Sequence, residues 1–259
     1  MRSSVVATAR RARDVGVLGP WFAHVDDDAP PGNGGKRFAQ RPQSRESSRV
    51  AFHSVQIVSM CGSLGPASAN QAALDVASDH LSGAGHTVVK VELLAEVPAF
   101  RPQWVDDPGS VVEALRETLE SCDGVLLAAP EYAGGLAGVV KNALDWLVGS
   151  ASLYHRPVVV LSAGTTGGAF ALEQAIRTLS WQGAFVVDVL SIAAPRTKMD
   201  VDGRFVDRDT LTGIERWAGQ LIAAVSAAPA ERLALVANVV APYGIDPARF
   251  GDLPPALST

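Results

Sequence analysis

From residue 55 onward the chain alternates short apolar runs with stretches in which apolar residues recur every three or four positions. The first kind of run reads as a strand, the continuously apolar 124–129 as a central one buried on both faces, and the second kind as an amphipathic helix. Strands are predicted at 55–60, 87–93, 124–129, 157–162 and 184–192, and helices at 69–81, 110–121, 138–148, 169–181 and 210–224. The punctuation agrees: Gly83 and Gly85 stop the first helix, Pro130 ends the third strand, and Asp202-Gly203 marks a turn before the last helix. Strand and helix alternate five times, as βαβ units wound around a parallel sheet do.

The flanks read differently. Residues 1–53 contain Asp26-Asp27-Asp28, a Pro/Gly-rich stretch from Pro30 to Gly35, and no apolar periodicity thereafter, which is a disordered composition. Arg10-Arg11 is followed by no apolar h-region, so an export signal is not expected. An unstructured tail and a start codon placed too far upstream both fit this segment. The domain is expected over 54–227. In the extension at 228–259, a short helix at 231–239 precedes four prolines that discourage further regular structure.

Composition narrows the possibilities. With 47% apolar and 19% charged residues, 259 positions can bury a sizeable core. No apolar run reaches the roughly 20 residues of a membrane span, so no membrane partner is expected. Residues 1–53 carry a net charge of +4 and the remainder −9. An acidic body argues against nucleic acid, whose binding rests on clustered basic side chains. Cys61 and Cys122 build no disulfide scaffold, which points to a reducing compartment, the cytoplasm. The five histidines show no metal-ligand spacing, and Ser63 lacks the Gly-x-Ser-x-Gly elbow of a serine hydrolase.

Ligands of doubly wound sheets sit beyond the carboxyl ends of the strands, so the loops after the first, third and fourth strands are the places to look. The first, Gly62-Ser63-Leu64-Gly65-Pro66-Ala67-Ser68-Ala69-Asn70, is rich in small and hydroxyl residues and opens into a helix whose free N–H groups favour an anion. Ser63, Ser68 and Asn70 offer side-chain donors. Without a Walker or Gly-x-Gly-x-x-Gly pattern, a phosphomonoester is the expected ligand, the alternative being an ordinary capped turn. The second loop runs Pro130-Glu131-Tyr132-Ala133-Gly134-Gly135-Leu136-Ala137-Gly138, and the third is Gly-rich from Ser162 to Gly168. Cys61, at the mouth of the first loop, is either a buried strand-end residue or a thiol activated by the helix N-terminus.

The second loop, continued by Lys141-Asn142-Ala143-Leu144-Asp145-Trp146, resembles the Pro-Glu-Tyr-Asn-Gly-Ser-x-Pro-Gly-x-x-Lys-Asn-Ala-x-Asp-Trp signature of the NADPH-dependent FMN reductases, and the first loop resembles their Gly-Ser-Leu-Arg-x-x-Ser-x-Asn. The resemblance implies a flavodoxin-like, three-layer doubly wound α/β sandwich with a five-stranded parallel sheet of order 2-1-3-4-5. It implies FMN as cofactor, NADPH or NADH as hydride donor, a small-molecule electron acceptor such as a quinone, and a homodimer or homotetramer. Ser63, Leu64, Ser68 and Asn70 would hold the phosphate. Pro130, Glu131, Tyr132, Ala133 and Gly134 would line the flavin ring through their backbones, with Gly164 and Gly167 beside the ribityl chain and pyrimidine. The Glu131 side chain is left open between a cap, a subunit contact and a direct effect. Lys141, Asn142, Asp145 and Trp146 are expected to pack or to meet another subunit. No catalytic side chain is implied, since the hydride chemistry belongs to the flavin. A flavodoxin-type electron carrier and a degenerate weak FMN binder are the rivals.

Four positions depart from the pattern: Gly65 stands where the family has Arg, Ala133 where it has Asn, Gly135 where it has Ser, and Ala137 where it has Pro. Losing the Arg removes a charge-assisted hydrogen bond of about 1.5–3 kcal/mol unless another group compensates. Gly135 and Ala137 predict a more flexible second loop.

Overall fold

A computed structural model of the chain describes residues 54–251; the expected disordered extension at 1–53 and the prolines at 254 and 255 lie outside them. Strands β1 (Gln56–Cys61), β2 (Thr87–Val91), β3 (Gly124–Ala128), β6 (Pro157–Gly164) and β7 (Phe185–Ala193) form one parallel sheet in the order β2-β1-β3-β6-β7. Counted over this sheet alone, that is the predicted 2-1-3-4-5 order. Two further strands, β4 (Glu131–Tyr132) and β5 (Gly135–Leu136), make a small antiparallel hairpin inside what reads from sequence as a loop.

The helices are α1 (Ala69–Gly83), α2 (Ser110–Glu120), α3 (Gly138–Leu147), α4 (Ala169–Trp181), α5 (Arg208–Ser226) and α6 (Pro229–Val240). α1 and α5 pack against each other on one face of the sheet, and α3 and α4 on the other. The order reverses beside β1, where the crossovers leave for opposite faces, so the carboxyl ends of β1 and β3 open a crevice. All of β3 is buried, as are seven of the eight residues of β6, because both faces carry helices.

Two boundaries differ from the sequence reading for physical reasons. The predicted strand at 87–93 stops at Val91, and a single 3-10 turn at Leu93–Ala95 buries Leu94 instead. Strand β6 runs two residues past Ser162 because β7 keeps pairing with it as far as Gly164 opposite Ala193. At the other end of the chain, α6 is longer than predicted and packs on β7, with Val236 and Val240 fully buried. Beyond it Phe250 meets Phe185 edge to face, so the segment through residue 250 is part of the core despite its prolines. Arg232 ties the two last helices together by donating to the carbonyls of Ala224, Val225 and Ala227.

Candidate active site

The first loop leaves β1 still stitched to β3, since Gly62 N–H donates to Ala128 C=O at 3.0 Å. A side chain at Gly62 would overlap Val140 and Pro130, so glycine is what lets the first loop pass so close to the second. Ser68, extended at φ −97° and ψ 119°, caps α1 by accepting from Gln71 N–H at 3.2 Å. Ahead of that cap, the backbone N–H groups of residues 63–65 and 67–70 have no hydrogen-bond partner among the described residues. A row of unspent donors at the positive end of a helix suits a phosphate. Ser63 Oγ lies 3.4 Å from Tyr132 Oη and bridges the first loop to the second.

Asn70 has a structural task that the sequence did not show. Its side chain is buried and bonded to one residue across the crevice: Nδ2 donates to Ala163 C=O and Oδ1 accepts from Ala163 N–H, both at 2.9 Å. It latches the start of α1 to the end of β6 while bordering the cleft. At Cys61 burial pushes the thiol up, the opposite of what an activated thiol requires, and its Sγ donates to Ser63 C=O at 3.6 Å.

The second loop is firmly tied, against the expected flexibility. Ala133 and Gly134, at φ 52° and 72°, form the two-residue turn of the β4–β5 hairpin. Gln174 Oε1 accepts from Leu136 N–H at 2.8 Å, and Ala137 N–H donates to Pro130 C=O at 3.0 Å, a bond a proline there could not make. Of the roles left open for Glu131, the structure shows the cap. Its Oε2 accepts from Phe170 N–H at 2.8 Å and Ala171 N–H at 3.2 Å, on the helix whose own N-cap is the side-chain-less Gly168. The N-terminus of α4 therefore already holds an anion. The motif on α3 is scaffolding within the chain: Lys141 pairs with Asp145 on the surface, while Asn142 and the buried Trp146 both donate to Pro98 C=O. Asn142 Oδ1 also accepts from Phe100 N–H, which fixes the Pro-rich loop.

The three loops converge on an open cleft of about 1240 Å³ bordered by Ser63, Ser68, Asn70, Pro130, Glu131, Tyr132 and Gly164. Four predicted residues do not border it. Leu64 is solvent-exposed, Ala133 and Gly134 form the hairpin turn, and Gly167 is a turn residue whose carbonyl accepts from Ser191 Oγ at 2.9 Å. A side chain at Gly167 would overlap that hydroxyl, at a φ of 87° that already favours glycine. The far wall was missed: residues 194–197 and 199–205, after β7, complete the cleft and bring Arg196 and Arg204 to it. That segment has no motif, and only its place at the carboxyl edge of a strand could have flagged it. The donors at α1, the close-approach glycine and a bordering cation together fit an FMN-sized phosphomonoester.

A family model described as NADPH-dependent FMN reductase matches residues 55–198. The quinone reductase of Escherichia coli (strain K12) is 29% identical over 178 residues, covering 65% of this chain and 93% of that protein. The NAD(P)H:quinone oxidoreductase of Solanum tuberosum is 28% identical over 176 residues, covering 60% and 85% respectively. Among solved structures, FerB from Paracoccus denitrificans, a flavoenzyme NAD(P)H:(acceptor) oxidoreductase, has the same fold with a TM-score of 0.57 and 23% identity over 66% of this chain and 97% of that one. The matched span contains the three loops of the cleft and more than half of the sequence, and the chain belongs to the NADPH-dependent FMN reductase family.

Proposed function

We propose that this chain oxidises NADPH or NADH and reduces a quinone, free flavin or similar small acceptor, with FMN held in the cleft by the first and second loops. Bound FMN supplies a ring that takes hydride from nicotinamide and gives it up to an acceptor. The protein's part is to hold, orient and shield. The unspent N–H groups of residues 63–65 and 67–70 and the Ser68 hydroxyl receive the phosphate, and Ser63 and Tyr132 close the gap between the loops. The backbone at 130–132 lines the ring side of the cleft, pinned through Glu131 and Gln174 to α4. Donors fixed before a ligand arrives stabilise developing negative charge without reorganising. The observation that carries the reading is the contrast between the capped α4 and the open α1.

Relatives named for quinone, azo-dye and FMN reduction support the acceptor class. No helix among the described residues is long and apolar enough to cross a membrane. Two unpaired cysteines fit a cytoplasmic setting. The exposed Tyr132 and Phe170, on either side of the Glu131 cap, offer a surface to a second copy, in keeping with a homodimer or homotetramer. The test is spectral and kinetic: the purified protein with added FMN should show bound-flavin absorbance that bleaches anaerobically with NADPH or NADH and returns on adding a quinone. No bound flavin and no nicotinamide oxidation would overturn the proposal.

A further inference from the structure

Gly65 leaves the first loop without the cation that the family pattern places there, yet the cleft is not without one. Arg196 borders it from the segment after β7. Its guanidinium has no ion pair or hydrogen bond among the described residues. We infer that Arg196 is the substitute for the missing loop arginine and binds the FMN phosphate from the opposite wall; this rests on the proposed function above.

Three links place Arg196 there. Asn70 holds the start of α1 against Ala163; the next residue, Gly164, accepts from Ala194 N–H at 3.1 Å; and Ala194 leads directly into the 3-10 turn Pro195–Lys198 that carries Arg196. The turn is fixed at its base, since Thr197 N–H and Oγ1 both donate to Ala194 C=O. The same hydrogen-bonded bridge therefore positions the phosphate donors and the arginine. Two of the acids that border the cleft are engaged elsewhere: Asp75 by Lys90 at 2.6 Å and by Gln71, and Asp200, whose Oδ1 accepts from the backbone of Asp202 and Arg204. Arg204 also borders the cleft, beyond the Asp200–Gly203 turn and without the link to Gly164 that Ala194 gives Arg196, and is the competing cation in the test. A guanidinium presents a planar fork of donors that matches phosphate oxygens, whereas flavin without its phosphate gives that fork nothing to hold.

The test compares FMN with riboflavin, which lacks the phosphate, by fluorescence titration of the full chain. Arg196→Ala should weaken FMN binding about tenfold or more, leave riboflavin binding unchanged, and flatten the salt dependence of FMN affinity. Arg204→Ala should weaken FMN binding less than Arg196→Ala does. A Cβ at Gly65 meets nothing within 4 Å, so a side chain can start there, and recovery of FMN affinity by Gly65→Arg in the Arg196→Ala background supports the substitution of one cation for the other. The inference is overturned if Arg196→Ala leaves FMN affinity unchanged, weakens both flavins equally, or is outdone by Arg204→Ala. A wild-type protein that binds neither flavin would instead bring down the proposed function itself.

Discussion

Helices α1 and α4 both begin at the carboxyl edge of the sheet, on opposite faces, and their N-termini are treated in opposite ways. At α4 the chain supplies its own carboxylate, Glu131, which takes Phe170 N–H and Ala171 N–H. At α1 it supplies only the neutral Ser68, which takes one N–H and leaves those before it free. A helix N-terminus attracts an anion in either case. One start is closed by the chain itself, and the other is left open, as the proposed phosphate site requires. The helix after the Gly-rich third loop has its first N–H groups taken by a side chain from a different loop.

The largest effect is expected where the two regions meet. Asn70→Ala would leave Ala163 N–H and C=O without their partners in a buried strand end, a loss of about 2–6 kcal/mol at 1–3 kcal/mol per orphaned group, measurable by urea unfolding. FMN affinity should fall with it, because the start of α1 is no longer registered against β6. Next, Glu131→Ala should destabilise by about 1–2 kcal/mol by uncapping α4, and should weaken FMN binding through the freed hairpin. Ser68→Ala should remove about 1 kcal/mol and should weaken FMN more than riboflavin. If Glu131→Ala proved neutral while Ser68→Ala abolished folding, the contrast between the two N-termini would be reversed.

Smaller effects probe the turn and a third helix start. Ala133 sits at φ 52°, where an L-residue other than Asn or Asp is disfavoured by about 1–2 kcal/mol, so Ala133→Asn should raise stability by about 0.5–1 kcal/mol, seen as a higher Tm. At α5 the cap is Asp207, whose carboxylate accepts from Thr210 Oγ1 and N–H and is held below its usual 3.8 chiefly by those bonds. A depressed folded-state value means this stabilisation is present above pH 3.8 and is lost as pH falls through the folded value. Asp207→Asn should keep the cap and remove that part of the acid limb in a pH series of unfolding curves.

The strands were legible as apolar runs, the sheet order only through the loops' resemblance to the family pattern, and the first loop because small residues and a helix start announce it. The hairpin at 131–136 was not, since strands of two residues carry no periodicity and Ala133 lacks the Asn-Gly turn signal. Asn70 was recognised as a site residue, but its bond to Ala163, 93 positions away, was not legible, because sequence shows that an amide is present and not what it meets. The C-terminal helix was seen, but its burial against β7 was hidden by the prolines around it. Arg196 was invisible for a related reason: it matters only because a hydrogen-bonded chain through Ala163 and Gly164 brings its turn to the cleft.

The contrast between the two helix starts is tested most directly by following backbone amide resonances during titration with FMN and, separately, with riboflavin. FMN should shift the amides of residues 67–70 strongly while Phe170 and Ala171 stay bonded to Glu131 and move little, and riboflavin should leave 67–70 nearly unchanged. Largest shifts at Phe170 and Ala171, or the same response at 67–70 to both flavins, would contradict the assignment of the phosphate to α1.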